Sequence, residues 1–296
     1  MEQAETSPDI GKPQCSVIIV NFNAGELLLR SVASVVASTL PAEIILIDNA
    51  STDGSWEQVQ ERHPEVQLIR NSRNRGFATA ANQGLRTARA EFLLLLNPDC
   101  ILTPDTLEKM FEVLRCYPEA GMAGCRILNP DGTEQRGCRR NLPTLRSGLR
   151  KAAGSQGGKT AVDLHLQPLP EQPQLVEAIS GAFMLLRRKA LEDVGLLDEE
   201  YFMHCEDLDW CRRFLDAGWK ILFLPQVEVV HYQGSCSKAT PVRVSWYLHR
   251  GMVRYYRKFL ASSNGPLVSM MVIPGIYARF FWQALKGGIK KMAGRT

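Results

Sequence analysis

Residues 15–23 read CSVIIVNFN, residues 43–49 read EIILIDN, and residues 91–99 read EFLLLLNPD. Each is a nearly unbroken apolar run that closes on Asn or Asp, the pattern of a strand buried on both faces. Helical signals lie between them. One helix is expected from about Glu26 to Ala37. Ser55 with Gln58 has capping-box spacing for a second helix through about Arg62. Val66–Arg70 reads as a short third strand, and Phe77–Ala88 as a helix of small residues. Thr103-Pro104-Asp105 then opens another helix, with a cap, a proline at the first helical position and an acid near the N-terminus. This β-α-β-α-β-α-β order predicts an α/β fold with a mainly parallel central sheet flanked by helices. Ligands of such sheets sit beyond the carboxyl ends of the strands. Here those ends carry Asn21 and Asn23, Asp48 and Asn49, Asn71–Gly76, and Asn97-Pro98-Asp99, so a polar, phosphorylated ligand is expected along that edge.

Composition narrows the classes. The chain has 296 residues, 45% hydrophobic and 22% charged, which suits one large domain or two modest ones and excludes a fibrous or disordered protein. Residues 1–14 are polar and acidic with no apolar stretch, so they read as a disordered N-terminus and not as a secretory signal. The eight cysteines include no CxxC pair; scattered thiols fit a reducing cytosol better than a disulfide framework or a zinc ribbon. The first βα turn, Asn21 to Gly25, lacks G-x-G-x-x-G, which argues against a dinucleotide site. GSQGGKT at 154–160 falls one residue short of a P-loop and follows no buried strand, so it reads as a flexible loop. It lies in the segment 136–175, where seven basic and no acidic residues occur between Gln135 and Val162. That segment reads as a mobile surface loop, either closing over a ligand or serving as a solvated linker.

Charge is unevenly distributed. From Val229 to Thr296 there are eleven Lys and Arg and no acid, which leaves 24 basic against 31 acidic groups in the first 228 residues. A basic end on an acidic body favours an anionic partner. Val242–Leu260 reads as a helix carrying Arg250, Arg254, Arg257 and Lys258. Pro266–Leu285 is apolar but interrupted by Pro274-Gly275 and by Arg279, which predicts an amphipathic segment lying on an anionic membrane surface and not a span. The plain alternative is a core helix with a frayed basic end. No nucleic-acid motif accompanies the charge, so nucleic acid is not expected as a partner.

Two further blocks bear chemistry. Leu175–Arg187 is an apolar segment interrupted by Ser180-Gly181, and Tyr201–Arg213 packs Glu206, Asp207 and Asp209 beside His204 and Trp210. Acids at a helix start are often only partners of the helix dipole, which accounts well for one acid and less well for three. Trp210 suits a sugar-stacking or a core role, with core packing favoured at helical spacing. Strands at Ile221–Leu224 and Val227–Val230 follow, ending at His231.

Taken together, VIIVNFN (17–23), LIDNASTDGS (46–55), NRGFATAANQG (74–84), LLLLNPD (93–99), SGAFMLLRR (180–188), MHCEDLDWCRR (203–213) and VVHYQGSCS (229–237) resemble, in order, the blocks of family 2 glycosyltransferases, and particularly their rhamnosyltransferase-like branch. The resemblance implies the GT-A nucleotide-sugar-binding fold with a C-terminal helical extension. It divides the chain into a disordered 1–14, a catalytic domain over 15–240 and basic amphipathic helices over 241–296. Within the catalytic domain, 15–130 forms the nucleotide-binding half and 175–240 the acceptor and catalytic half. It implies nucleotide-sugar contacts from Asn21, Phe22, Asp48, Asn74, Arg75, Gly76, Asn97 and Gly181. Gly76 would allow close backbone approach, and Gly181 would lie against the donor sugar. Asp48 has the plain alternative of an Asx turn.

Asn97-Pro98-Asp99 occupies the place of the family's Asp-x-Asp metal motif but opens with Asn, so direct coordination of Mn²⁺ or Mg²⁺ is assigned to Asp99, with His231 as second ligand. Glu206 and Asp207 match the base motif, and Asp207 is the expected base, its pKa raised by its neighbour. The activity implied is inverting, metal-dependent transfer of one sugar, with dTDP-rhamnose as leading donor. The acceptor would be a saccharide carried on polyprenyl diphosphate, at the cytoplasmic face of the membrane. A sugar-nucleotide-binding scaffold and a nucleotidyltransferase are the competing readings; the latter usually needs a Gly-rich basic loop where Asn21–Gly25 stands.

Overall fold

The computed structural model describes residues 13–152, 162–232 and 241–293. The near-P-loop at 154–160, most of the N-terminal segment 1–14 and the end of the VVHYQGSCS block lie outside them. The first half is β1 (Cys15–Asn21), α1 (Glu26–Val36), β2 (Ala42–Asp48), α2 (Ser55–Arg62), β3 (Gln67–Arg70), α3 (Phe77–Thr87), β4 (Phe92–Leu96), β5 (Cys100–Leu102), α4 (Thr106–Cys116) and β6 (Ala120–Leu128). The second is β7 (Arg139–Arg140), α5 (Leu145–Ala152), β8 (Gln174–Val176), β9 (Ala178–Ile179), β10 (Phe183–Arg187), α6 (Arg188–Val194), α7 (Glu206–Asp216) and β11 (Lys220–His231). The chain then enters α8 (Pro241–Tyr255), a π-turn (Tyr256–Leu260) and α9 (Ala261–Ala293).

The main sheet runs β3-β2-β1-β4-β10-β6-β11-β5, with β8 on the side of β11. Strands β3, β2, β1 and β4 are mutually parallel, as the sequence predicts. β10 then runs antiparallel to β4 and β6, so the far half is mixed. Alternation within β1 explains the layers. Val17 and Ile19 join the apolar layer under α1 and α4, while Ile18 and Val20 join the layer under α3 and α7. All seven β1 residues are buried, which is why the strand reads as an unbroken apolar run. Helix α3 lies so close to the sheet that a Cβ on Gly84 would stand 2.4 Å from Ile18 Cγ2; the small residues of this helix set that spacing.

Several local expectations are corrected. Ser55 is not a cap: Gly54 precedes α2 in a left-handed conformation, and Ser55 Oγ instead donates to Asp53 Oδ1 at 2.6 Å. Helix α4 begins at Thr106, so Pro104 lies just outside it. The segment 136–175 is more than a loop, since it contributes β7, paired with β9, and α5. Trp210 is fully buried and donates its indole N–H to Gly195 O at 2.9 Å, a core role.

The C-terminal region departs most from expectation. The apolar helix passes through Pro274-Gly275 without interruption; its break is at Gly265, with φ of +77°. Among the described residues one helical stretch, Val242–Leu285, is long and apolar enough to cross a membrane, with none of its most apolar part buried. Nor are all its cations turned outward. Arg254 pairs with Asp198 and Glu200, and Lys258 Nζ lies 2.9 Å from Asp198 Oδ2 and 2.7 Å from Asp209 Oδ2. Part of the tail's positive charge therefore neutralises the acidic body.

Candidate active site

The first two strand ends are tied into one lattice of short polar side chains. Asn21 Nδ2 lies 3.0 Å from Asp48 Oδ1, 3.0 Å from Ser51 Oγ and 2.8 Å from Ser55 Oγ. Ser51 N donates to Asp48 Oδ2 at 3.2 Å, so the Asx turn is formed, and the Asp48 carboxylate is buried within this lattice. Phe22, half-buried, and Asn23, with φ of +54°, begin the first loop. Asn49 Nδ2 donates to Asn74 Oδ1 at 3.0 Å, and Asn49 Oδ1 accepts from Arg75 N at 3.0 Å, which brings the 74–76 loop into the same edge. The Arg75 side chain is exposed. Gly76 has φ of +85°, and the backbone that approaches it closely is the protein's own: a Cβ there would lie 2.7 Å from Phe202 O, which accepts the Phe77 N–H. The glycine is needed for the close approach of Phe202.

At the next strand end Asp99 and His231 meet. Strands β5 and β11 pair antiparallel, aligning His231 with Cys100 and placing Asp99 Oδ1 3.0 Å from His231 Nε2. His231 Nδ1 lies 2.6 Å from Gln135 Oε1, while Gln135 Nε2 faces Asn129 Oδ1 and His231 O. With Gln135 so oriented, Nδ1 donates its proton to Gln135 Oε1 and Nε2 is the ring nitrogen turned toward Asp99. The Nε2–Oδ1 approach is satisfied either by a proton on Nε2 or by a cation held between the two atoms. Their 3.0 Å separation is also the edge of a coordination shell with bonds of about 2.1 Å. Asn97 Nδ2 is 3.3 Å from the same ring nitrogen, so the Asn that replaces the motif's first Asp acts on His231. Cys100 completes a buried group with Asp99 and His231 whose ligand atoms lie within 4.8 Å of one another. The donor set of carboxylate and imidazole fits a divalent cation such as Mn²⁺.

The other acids stand at the start of α7. His204 and Cys205, with φ of +68° and +70°, form a strained left-handed turn that delivers Glu206 and Asp207. Gly251 of α8 seals this turn, since a Cβ there would lie 2.8 Å from His204 O. Asp207 pairs with Arg140, whose Nη2 also donates to Ile179 O at 2.5 Å. Burial alone raises the Asp207 carboxyl, but the adjoining Arg140 guanidinium and the Leu208 N–H hold it below the ordinary value. The upward shift expected for Asp207 falls on Glu206 instead: burial and the neighbouring Asp207 charge push it up to about 8. Its Oε2 is buried without a hydrogen-bond partner among the described residues. Asp209, the third acid, is structural, enclosed by Lys258, Arg213 Nε at 2.7 Å and Tyr201 OH at 3.2 Å.

Glu206 therefore makes stability depend on pH. Its folded value of about 8 lies above the ordinary 4.5, so the stabilisation it confers is complete below pH 4.5 and is lost as pH rises through 8. Glu206→Gln cannot ionise, and is expected to lose less stability than the wild type between pH 5 and pH 9, by about 1–3 kcal/mol. Denaturant midpoints at the two pH values measure it; parallel curves for both proteins would refute it.

The turn Ser180-Gly181-Ala182 joins the two acidic centres. A Cβ on Gly181 would sit 3.3 Å from Asp207 Cβ, and Ala182 O accepts from Asn97 N at 3.0 Å. Adjacent residues of one turn thus touch the α7 acids on one side and the Asn97–Asp99 loop on the other. Arg140 and Gln135 are the residues that sequence reading missed. Arg140 is 67 positions from Asp207 and Gln135 is 96 from His231, and the only hint was an Arg pair in a basic stretch.

An α/β sheet with a carboxylate–imidazole pair at one strand end and a second carboxylate one turn away is the architecture of an enzyme that moves a group from a nucleotide-activated donor. The chain belongs to glycosyl transferase family 2, whose profile matches residues 16–195. It is 28% identical over 239 residues to the N-acetylglucosaminyl-diphospho-decaprenol L-rhamnosyltransferase of Mycobacterium tuberculosis, covering 76% of this chain and 78% of that one. It is 25% identical over 222 residues to the dTDP-rhamnosyl transferase RfbF of Shigella flexneri, covering 72% and 67%. Among solved structures it resembles the mannosyltransferase PcManGT of Pyrobaculum calidifontis in complex with GDP-Man and Mn²⁺. The TM-score is 0.57 at 20% identity, over 93% of this chain and 72% of that one. GalNAc-T7 with UDP, GalNAc and Mn²⁺ gives a TM-score of 0.61 at 19% identity, over 84% and 48%. The GT-A fold and the rhamnosyltransferase-like resemblance are both borne out.

Proposed function

We propose that this glycosyltransferase moves one sugar, with rhamnose from dTDP-rhamnose as first choice, onto a saccharide carried by polyprenyl diphosphate, with inversion at the anomeric carbon. The single observation that carries the chemistry is the Ser180–Ala182 turn, which sets Asp207 within one residue of the Asp99 loop. The donor and acceptor classes rest on relatives whose names specify rhamnosyl transfer and a decaprenol-linked acceptor.

In this reading the loops after β1, β2 and β3 cradle the nucleotide, with Asn21, Phe22, Asp48, Asn74, Arg75 and Gly76 shaping or touching it. Asp99 and His231 hold a divalent cation, Mn²⁺ or Mg²⁺, which when bound supplies positive charge for the departing diphosphate. Asn97 orients His231. Gly181 leaves room for the sugar beside Asp207. The acceptor oxygen attacks the anomeric carbon while the bond from that carbon to the diphosphate oxygen breaks, and the bonding pair leaves on the nucleoside diphosphate. The acceptor proton passes to Asp207, which Arg140 keeps ionised and oriented, and Glu206 beside it stays neutral at pH 7. Attack from the side opposite the leaving group inverts the configuration. Residues 15–240 carry this chemistry, and 241–296 rest on an anionic membrane surface at the cytoplasmic face.

The test is a transfer assay on the purified protein with Mn²⁺, using dTDP-rhamnose and uridine-diphosphate sugars against polyprenyl-diphosphoryl-N-acetylglucosamine. A disaccharide lipid of inverted anomeric configuration by NMR is the expected product. Donor hydrolysis with no product in any pairing would refute the acceptor class.

A further inference from the structure

Between α8, α9 and the segment 200–202 lies a cavity of about 500 Å³ that the chemistry above does not use. Trp246, Tyr247 and Tyr277 line one part of it, and Arg250, Arg254, Arg257 and Lys258 another. Arg254 and Lys258 are already neutralised by Asp198, Glu200 and Asp209. Arg250 and Arg257 are exposed, and among the described residues neither pairs with a carboxylate. Two unpaired guanidinium groups match the two charges of a diphosphate diester, and their planar forks suit phosphate oxygens.

The cavity shares its walls with the active site. Phe202, which lines it and stacks on Tyr247 at 4.2 Å, presents its carbonyl to Phe77 N and abuts Gly76. Gly251, also in the lining, seals the His204–Cys205 turn that precedes Glu206 and Asp207. A ligand seated here is one backbone layer from the nucleotide loop and from the α7 acids. Beyond Tyr277, helix α9 carries exposed Phe281 and Leu285 at helical spacing, an apolar stripe running on from the cavity's aromatic lining.

We propose that this cavity binds the diphosphate of a polyprenyl-diphosphate-linked saccharide. Arg250 and Arg257 hold the phosphates and the α9 stripe receives the first prenyl units. The assignment rests on the reading of the protein as a transferase with a lipid-linked acceptor, and places that acceptor's anion.

The test is calorimetric titration of the full-length protein with geranyl diphosphate and, separately, with inorganic diphosphate. EDTA is present so that no metal–diphosphate complex forms at Asp99. Arg250→Ser and Arg257→Ser are each expected to weaken geranyl diphosphate binding about tenfold. Trp246→Ala is expected to weaken geranyl diphosphate but not inorganic diphosphate. Wild-type affinity in the double arginine variant would overturn the assignment. So would a double variant that no longer floats with phosphatidylglycerol vesicles yet keeps geranyl diphosphate, since the arginines would then serve lipid headgroups. Because binding is read without turnover, a protein that transfers nothing but shows the arginine-dependent titration would leave the cavity assigned while refuting the proposed reaction.

Discussion

Asp207→Asn is expected to lower sugar transfer by roughly three orders of magnitude while leaving nucleotide affinity within about twofold. The amide has the carboxylate's shape and its one oxygen still accepts from Arg140, at the cost of the bond that the Leu208 N–H makes to the other carboxylate oxygen, but it cannot take the acceptor proton. The wild-type pH profile carries the same signature: the Arg140 charge holds Asp207 below the ordinary carboxylate value, so the basic form persists into mild acid and the acid limb of activity lies low. Single-turnover transfer and calorimetric titration with the nucleoside diphosphate separate the two effects. Transfer by the D207N variant at the wild-type rate would remove Asp207 from the reaction.

The second large effect is expected from Asp99→Ala, which should weaken Mn²⁺ binding about a hundredfold and lower metal-dependent donor binding in parallel. The substitution removes the one carboxylate of the Asp99–His231 pair and leaves His231 held by Gln135 and Asn97, with no anionic ligand beside it. Paramagnetic titration with Mn²⁺ reads the metal directly, without turnover. Equal Mn²⁺ affinity in the variant and the wild type would move the metal elsewhere.

Much of the parallel half of the fold could be read from the chain because its information is local. Strands β1 and β4 and the last five residues of β2 are buried on both faces, so their residues are almost all apolar up to the Asn or Asp at the strand end. The residues at those ends are brought together by topology alone. Caps were less legible. Ser55 has the composition of a capping box, yet Gly54 turns the chain before it and Asp53 claims its hydroxyl. Ionisation states were not legible either. Two adjacent acids predict that one is shifted upward, but which one depends on where a cation comes to rest, and Arg140 arrives from a two-stranded sheet far along the chain. The same limit applies to the tail. Its eleven cations are a fact of composition, but Arg254 and Lys258 find acids on the body only once α8 is docked.

The bond from Lys258 to the fully buried Asp209 has a bearing on how the gene can be trimmed. Residue 240 looks in the sequence like a seam between an enzyme and an appendage. A shortened chain ending there would strip Asp209 of one of its two cationic partners and uncover the strained bend beneath Gly251. It would thereby loosen the helix that presents Asp207. The appendage is better regarded as the back plate of the catalytic chamber, and expression boundaries that discard it in pursuit of solubility would be discarding part of the enzyme.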